Sequence, residues 1–193
     1  MKNVKPSRCV MPAILALVAS TSAAIAVASD DDRTYEMQWV ISILAHDRGP
    51  LSDRHEGGTS VGIEAQFAPF QNKFWQFIGS PKPHLGGTFN FQGNTNVLYA
   101  GATYKYNFTS RYFINGALSL AIHDGPLHKD PIPCALNSDC GFGTRVLPRF
   151  GVDVGMHLGK GRSLMLFFDH MSQYNFLDDE NEGIDHFGIR YRW

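Results

Sequence analysis

Between Thr34 and Trp193 the chain repeats one pattern eight times: a short segment in which apolar and polar side chains strictly alternate, closed off by Gly, Pro, Asn or Asp. Period-two alternation belongs to strands, because successive side chains point to opposite faces of a sheet. In TYEMQWVISILAHD, Tyr35, Met37, Trp39, Ile41 and Ile43 share one face, opposite Glu36, Gln38, Ser42 and His46. TSVGIEAQFAP, HLGGTFNFQ, NVLYAGATYKYNF and YFINGALSLAIH continue it, followed by VLPRFGVDVGMHL, SLMLFFDHM and GIDHFGIRYRW. Eight strands of roughly 9–13 residues joined in sequence suit an antiparallel barrel, either a soluble calyx or a membrane barrel.

What lies on each face distinguishes the two. A soluble barrel turns its apolar side inward and its charges to water. Here the polar side carries Glu36, Glu64, Arg149, Asp153, Arg190 and Arg192 among many glycines, as a small packed polar lumen would. His46, His84, His123, His157 and His186 are read as lumen residues too. The other side is aromatic near strand ends, like the interfacial girdle of a barrel in lipid, and the chain ends on an aromatic residue of that face, Trp193. No segment after the N-terminal region has the 18 or more consecutive apolar residues of a spanning helix.

The N-terminus points the same way. Lys2, Lys5 and Arg8 precede an apolar stretch from Val10 to about Val27, and Ala26-Val27-Ala28 supplies small residues for cleavage. Residues 1–28 are therefore expected to be a removed signal peptide, and residues 29–193 the barrel domain; a retained anchor is the alternative reading. Cys9 leaves with the signal. The 17 basic residues then fall to 14 against 18 acidic, a formal charge of −4, which argues against a nucleic-acid partner. Export also makes a disulfide the expected state of Cys134 and Cys140 within PCALNSDCG, zinc binding being the weaker alternative.

With both termini periplasmic, connections 48–58, 92–95, 124–145 and 172–182 face outward, while 69–82, 108–111 and 159–162 face the periplasm. Most outward connections are long and most inward ones short, as such barrels require, the 69–82 segment being an exception. Lys160-Gly161-Arg162 reads as a periplasmic turn.

SLMLFFDHMS ends in two polar residues, His170 and Ser172, with the same parity as Leu164, Leu166 and Phe168. On a lipid face they cost desolvation unless partnered. If the last hairpin pairs Phe168 with Phe187 and Leu166 with Ile189, His170 falls beside Asp185 at the outer rim. Carboxylate, imidazole and hydroxyl then converge, as nucleophilic acyl transfer requires. His-x-Ser is a weak motif by itself, and rim residues bonded to lipid headgroups are the plain alternative. Glu182 is the alternative acid, although its parity points inward or into the loop. Asp178-Asp179-Glu180 reads as solvated loop charge before it reads as a divalent-cation site.

The run LPRFGVDVGMHLGKGRSLMLFFDHMS, with NEGIDHFGIRYRW, LSLAIHDGPL and GTRVLPRFG, resembles the PagL-type lipid A 3-O-deacylase family of eight-stranded outer-membrane barrels. The resemblance covers roughly residues 85–193. It implies His170 as general base, Ser172 as nucleophile and Asp185 as orienting acid, in an esterase that needs no cofactor or metal. It also implies lipid A as substrate, with the site towards the outer leaflet. Two departures stand out: the family usually has Asn directly after the Ser, where this chain has Gln173, and the best-known member has Glu where this chain has Asp185. Gln173 is the expected oxyanion donor, and Asn181 matches a family Asn that braces the loop, or serves a plain turn. Recognition of the C-terminal strand by the barrel-assembly machinery and a homodimer are further expectations. The rival reading is a catalytically silent barrel acting as an adhesin or structural protein through its outer loops.

Overall fold

A computed structural model describes residues 36–52, 56–127, 141–172 and 183–193 of the chain. The expected signal peptide, Cys134, Cys140, Gln173, Asn181, Glu182 and the acidic run Asp178-Asp179-Glu180 lie outside the described residues.

The eight alternating segments form eight strands: β1 (Met37–His46), β2 (Thr59–Phe67), β3 (Lys82–Asn90), β4 (Val97–Asn107), β5 (Tyr112–His123), β6 (Val146–Gly159), β7 (Arg162–Met171) and β8 (Ile184–Arg192). Each pairs antiparallel with its neighbour in sequence, and β1 closes on β8 with Ile41 opposite Tyr191 and Ile43 opposite Ile189. A closed barrel leaves no unpaired strand edge, the condition for crossing lipid with strands. The burial pattern is that of a barrel built for lipid. Ile43 is 66% exposed and Leu118 64%, whereas their neighbours Ser42 and Ala117 on the other face are buried.

The lumen is filled, not open. Its middle is ionic: Arg190 bridges Glu64 at 2.5 Å and Asp153 at 3.4 Å, and Arg149 bridges Asp169 at 2.5 Å. The Tyr99 hydroxyl and the Gln66 amide donate to Glu64, and the Arg149 guanidinium stacks 3.8 Å over the Tyr99 ring. Charges removed from water persist only when paired and hydrogen-bonded, and here each carboxylate meets several donors. Alternation alone presents this face as polar, yet two apolar clusters complete it. Val40, Phe113 and Met165 pack towards the end where β1, β5 and β7 begin. Val97, Tyr99, Ala121, Phe142, Leu147, Met171 and Ile184 plug the opposite end. The five histidines read as lumen residues do point inward; His84, for example, bonds Thr103 and Ser119.

The long connection between β2 and β3, an exception on length, contains a helix that alternation did not suggest, α1 (Lys73–Phe77). The Asn72 side chain caps it by accepting from Trp75 N at 2.8 Å, and Trp75 Nε1 donates to Pro81 O at 2.7 Å. Lys160 and Gly161, both at positive φ, form the two-residue turn joining β6 to β7, a turn whose twist suits a hairpin.

Candidate active site

The β7–β8 register is the one that the sequence reading took as its condition. Leu166 faces Ile189, Phe168 faces Phe187 and His170 faces Asp185. Opposed residues on one face of an antiparallel pair bring their side chains within contact distance. His170 Nδ1 donates to Asp185 Oδ1 at 2.6 Å. An ionised carboxylate only accepts, so the proton of a neutral His170 ring sits on Nδ1 and Nε2 is left as the basic nitrogen. The ring also packs against Phe150, its partner on β6, with centroids 5.4 Å apart.

Ser172 follows β7 directly, and its backbone N–H donates to Pro148 O at 3.2 Å, which ties it to β6. Gly183, just before β8, lies between the serine and the imidazole. A β-carbon there would sit 2.8 Å from His170 Cε1 and 3.4 Å from Ser172 Cβ. Its φ of +64 also favours glycine, so two constraints keep this position free of a side chain. His170, Asp185 and Ser172 thus occupy one corner of the barrel, at the end where β7 finishes and β8 begins.

One expectation is corrected here. His170 and Asp185 have the outward parity, but they are 3% and 0% exposed, so they do not lie open to lipid. The connection after β1 folds over them. Leu51 N and Ser52 N donate to Asp185 Oδ2 at 2.7 and 3.0 Å, and Arg48 N donates to Asp185 O at 3.2 Å. These partners are backbone amides, which no side-chain motif announces; Gly49 within RGPLS is the sole residue-level hint of a close approach.

The adjacent rung carries a mirrored pair inside the barrel. One residue along each strand, His186 Nδ1 donates to Asp169 Oδ1 at 2.8 Å, and His186 Nε2 lies 3.1 Å from His46 Nδ1. His46 Nε2 reaches Glu56 at 2.9 Å. This inner chain is enclosed in the lumen, whereas the outer pair has a serine beside it and lipid-facing surface below.

That surface is shaped. On the outward face, from Phe187 downward, runs a largely apolar groove of about 520 Å³, lined by Ile41, Ile43, Leu166, Phe187, Ile189 and Tyr191 together with Ser42 and Gly188. Phe187 to Tyr191 is five residues of β8, four steps along the strand or roughly 14 Å.

A sequence model described as Lipid A 3-O-deacylase (PagL) matches residues 33–193, nearly the whole chain after the N-terminal region. The chain belongs to this family. Among solved structures, the crystal structure of the outer membrane enzyme PagL superposes with a TM-score of 0.57 at 16% identity, covering 80% of this chain and 97% of that one. The N-terminal β-barrel domain of Pseudomonas aeruginosa OprF matches with a TM-score of 0.48 at 7% identity, over 82% and 98% of the two chains. The search of curated proteins finds no match. At 16% identity the PagL likeness speaks for the barrel fold, and the family match ties this chain to the lipid A deacylases.

Proposed function

We propose that the protein is an outer-membrane esterase that removes an ester-linked acyl chain, the 3-O chain, from lipid A, with Ser172 as nucleophile, His170 as general base and Asp185 as orienting acid. The observation that carries this reading is the 2.6 Å His170–Asp185 hydrogen bond with Ser172 beside the ring, on the outward face of a barrel of this family. A silent barrel has no need of a buried acid–imidazole pair on that face.

In the proposed reaction Ser172 Oγ attacks the ester carbonyl carbon while His170 Nε2 takes the hydroxyl proton. Asp185 holds the ring in the required tautomer and stabilises the imidazolium that forms. The tetrahedral intermediate collapses as the imidazolium returns its proton to the departing sugar oxygen, leaving an acyl-serine. Water, deprotonated by His170, then attacks that acyl group and frees the fatty acid and the serine. Gln173 is proposed to donate to the oxyanion, with Asn181 in support, and Glu182 is the alternative acid. The groove beneath the rung suits an acyl chain: its lining is mostly aliphatic and aromatic, and it begins at Phe187, two residue pairs below the proposed base.

The same reading puts the His170 end at the outer leaflet, a disulfide between Cys134 and Cys140 in the loop above it, and cleavage of residues 1–28 before insertion. The test is mass spectrometry of lipid A from cells with and without the protein. Loss of one ester-linked acyl chain only when the protein is present supports the esterase; unchanged lipid A in every strain tried leaves the silent barrel.

A further inference from the structure

The geometry points to the segment Gly49–Ser52 as a clasp that positions Asp185, with Gly49, Ser52 and Asp47 as positioning residues for the acid; the inference rests on the triad proposed above. The two oxygens of Asp185 have separate tasks. Oδ1 accepts the hydrogen bond from His170 Nδ1, and Oδ2 accepts those of the Leu51 and Ser52 amides. A carboxylate bonded through one oxygen can still turn about its side-chain torsions. Two converging N–H groups on the other oxygen fix its plane and offset the cost of burying its charge.

Amide donors on a loop hold their target only as well as the loop is held. Asp47 leaves β1 at φ +48, a left-handed conformation that Asp tolerates better than most residues, and turns the chain back over Asp185. It is fully buried and latches the loop from both oxygens: Ser52 Oγ donates to Oδ1 at 2.7 Å and Glu56 N to Oδ2 at 2.8 Å. Burial pushes the Asp47 carboxyl up, and these donors offset only part of that rise. Ser52 therefore joins the two buried acids, its amide on Asp185 and its hydroxyl on Asp47. That hydroxyl also lies 3.2 Å from the carbonyl of Gly183, the residue beside the proposed nucleophile.

Gly49 sets how close the clasp comes. A β-carbon there would overlap the carboxylate oxygen Oδ2, 2.5 Å from Asp185 Cβ and 2.6 Å from Cγ. The short acid and the bare backbone fit each other; a side chain at position 49 displaces the acid without removing any chemical group from the triad.

The experiment is a double-mutant cycle on the mature protein in detergent, reading initial rates on lipid A and folding by heat-modifiable gel migration. Gly49→Ala is expected to lower kcat about tenfold or more with KM nearly unchanged, and to cost less than about twofold in an Asp185→Gly background, which removes the β-carbon that position 49 would otherwise still meet. Ser52→Ala is expected to lower kcat several-fold and Ser52→Thr, which keeps the hydroxyl, to restore most of it. This second pair decides the matter should Gly49→Ala fail to fold. Equal losses from Gly49→Ala with and without Asp185, or full activity in both Gly49→Ala and Ser52→Ala while Asp185→Gly is impaired, overturn the clasp and leave the triad standing. Full activity in Asp185→Gly overturns the triad itself, and the clasp with it.

Discussion

His170 donates its Nδ1 hydrogen bond to Asp185 and keeps that proton, so Nε2 is the ring atom left as a base for the proposed nucleophile Ser172. Replacing the histidine by Asn keeps the polarity and removes the base. His170→Asn is therefore expected to reduce deacylation about as severely as loss of the nucleophile, by roughly a thousandfold or more, with folding by gel shift unchanged. Gln173→Asn shortens the proposed oxyanion donor by one methylene and is expected to preserve or raise kcat; a loss of about a hundredfold or more would show that the longer amide is the fitted one. The pairing of His170 with Asp185 was legible from residues alone, because parity and the Phe168–Phe187 register leave one partner at that rung. Their burial was not. For Asp185 it comes from Leu51 and Ser52 amides on a loop whose path over β8 depends on Asp47 at positive φ and on Gly49, which no alternation pattern encodes.

Strand by strand, inward parity marked Glu64, Arg149, Asp153 and Arg190 as lumen groups, and the ion pairs they form explain why so small a barrel encloses so much charge. Arg190 is the hinge of this network, because two carboxylates depend on it. Arg190→Ala leaves Glu64 and Asp153 buried without their cation and is expected to destabilise the barrel by about 3–5 kcal/mol, read as a lower urea midpoint for unfolding in detergent. An unchanged midpoint would mean that water enters the lumen and solvates both acids. Two features at this scale escaped sequence reading. Val40, Phe113 and Met165 follow the inward parity but are apolar, and a pattern scored as apolar-out, polar-in passes over them. Helix α1, at five residues, is too short for its period to emerge, and Asn72 is an isolated cap without a following helical stripe.

The molecule as a whole is a filled cylinder whose apolar surface faces outward. Substitutions on that surface should follow depth in the bilayer. Leu118, midway along β5 and 64% exposed, is expected to cost about 2–4 kcal/mol when changed to Arg, whereas Tyr112→Arg at the start of the same strand should cost about 0–1 kcal/mol. Urea unfolding in lipid vesicles measures both; equal costs would contradict a membrane belt centred on β5. Within this frame the site lies at one rim, roofed by a loop and floored by an apolar groove, which is where an esterase must stand to meet a substrate whose sugar is in water and whose chains are in lipid. The most direct measurement is the release of fatty acid from purified lipid A by the detergent-folded mature protein and its Ser172→Ala variant, followed by mass spectrometry. The expected result is loss of one ester-linked acyl chain with the unsubstituted protein and none with Ser172→Ala at equal folding. Release at an undiminished rate by Ser172→Ala would contradict the serine mechanism.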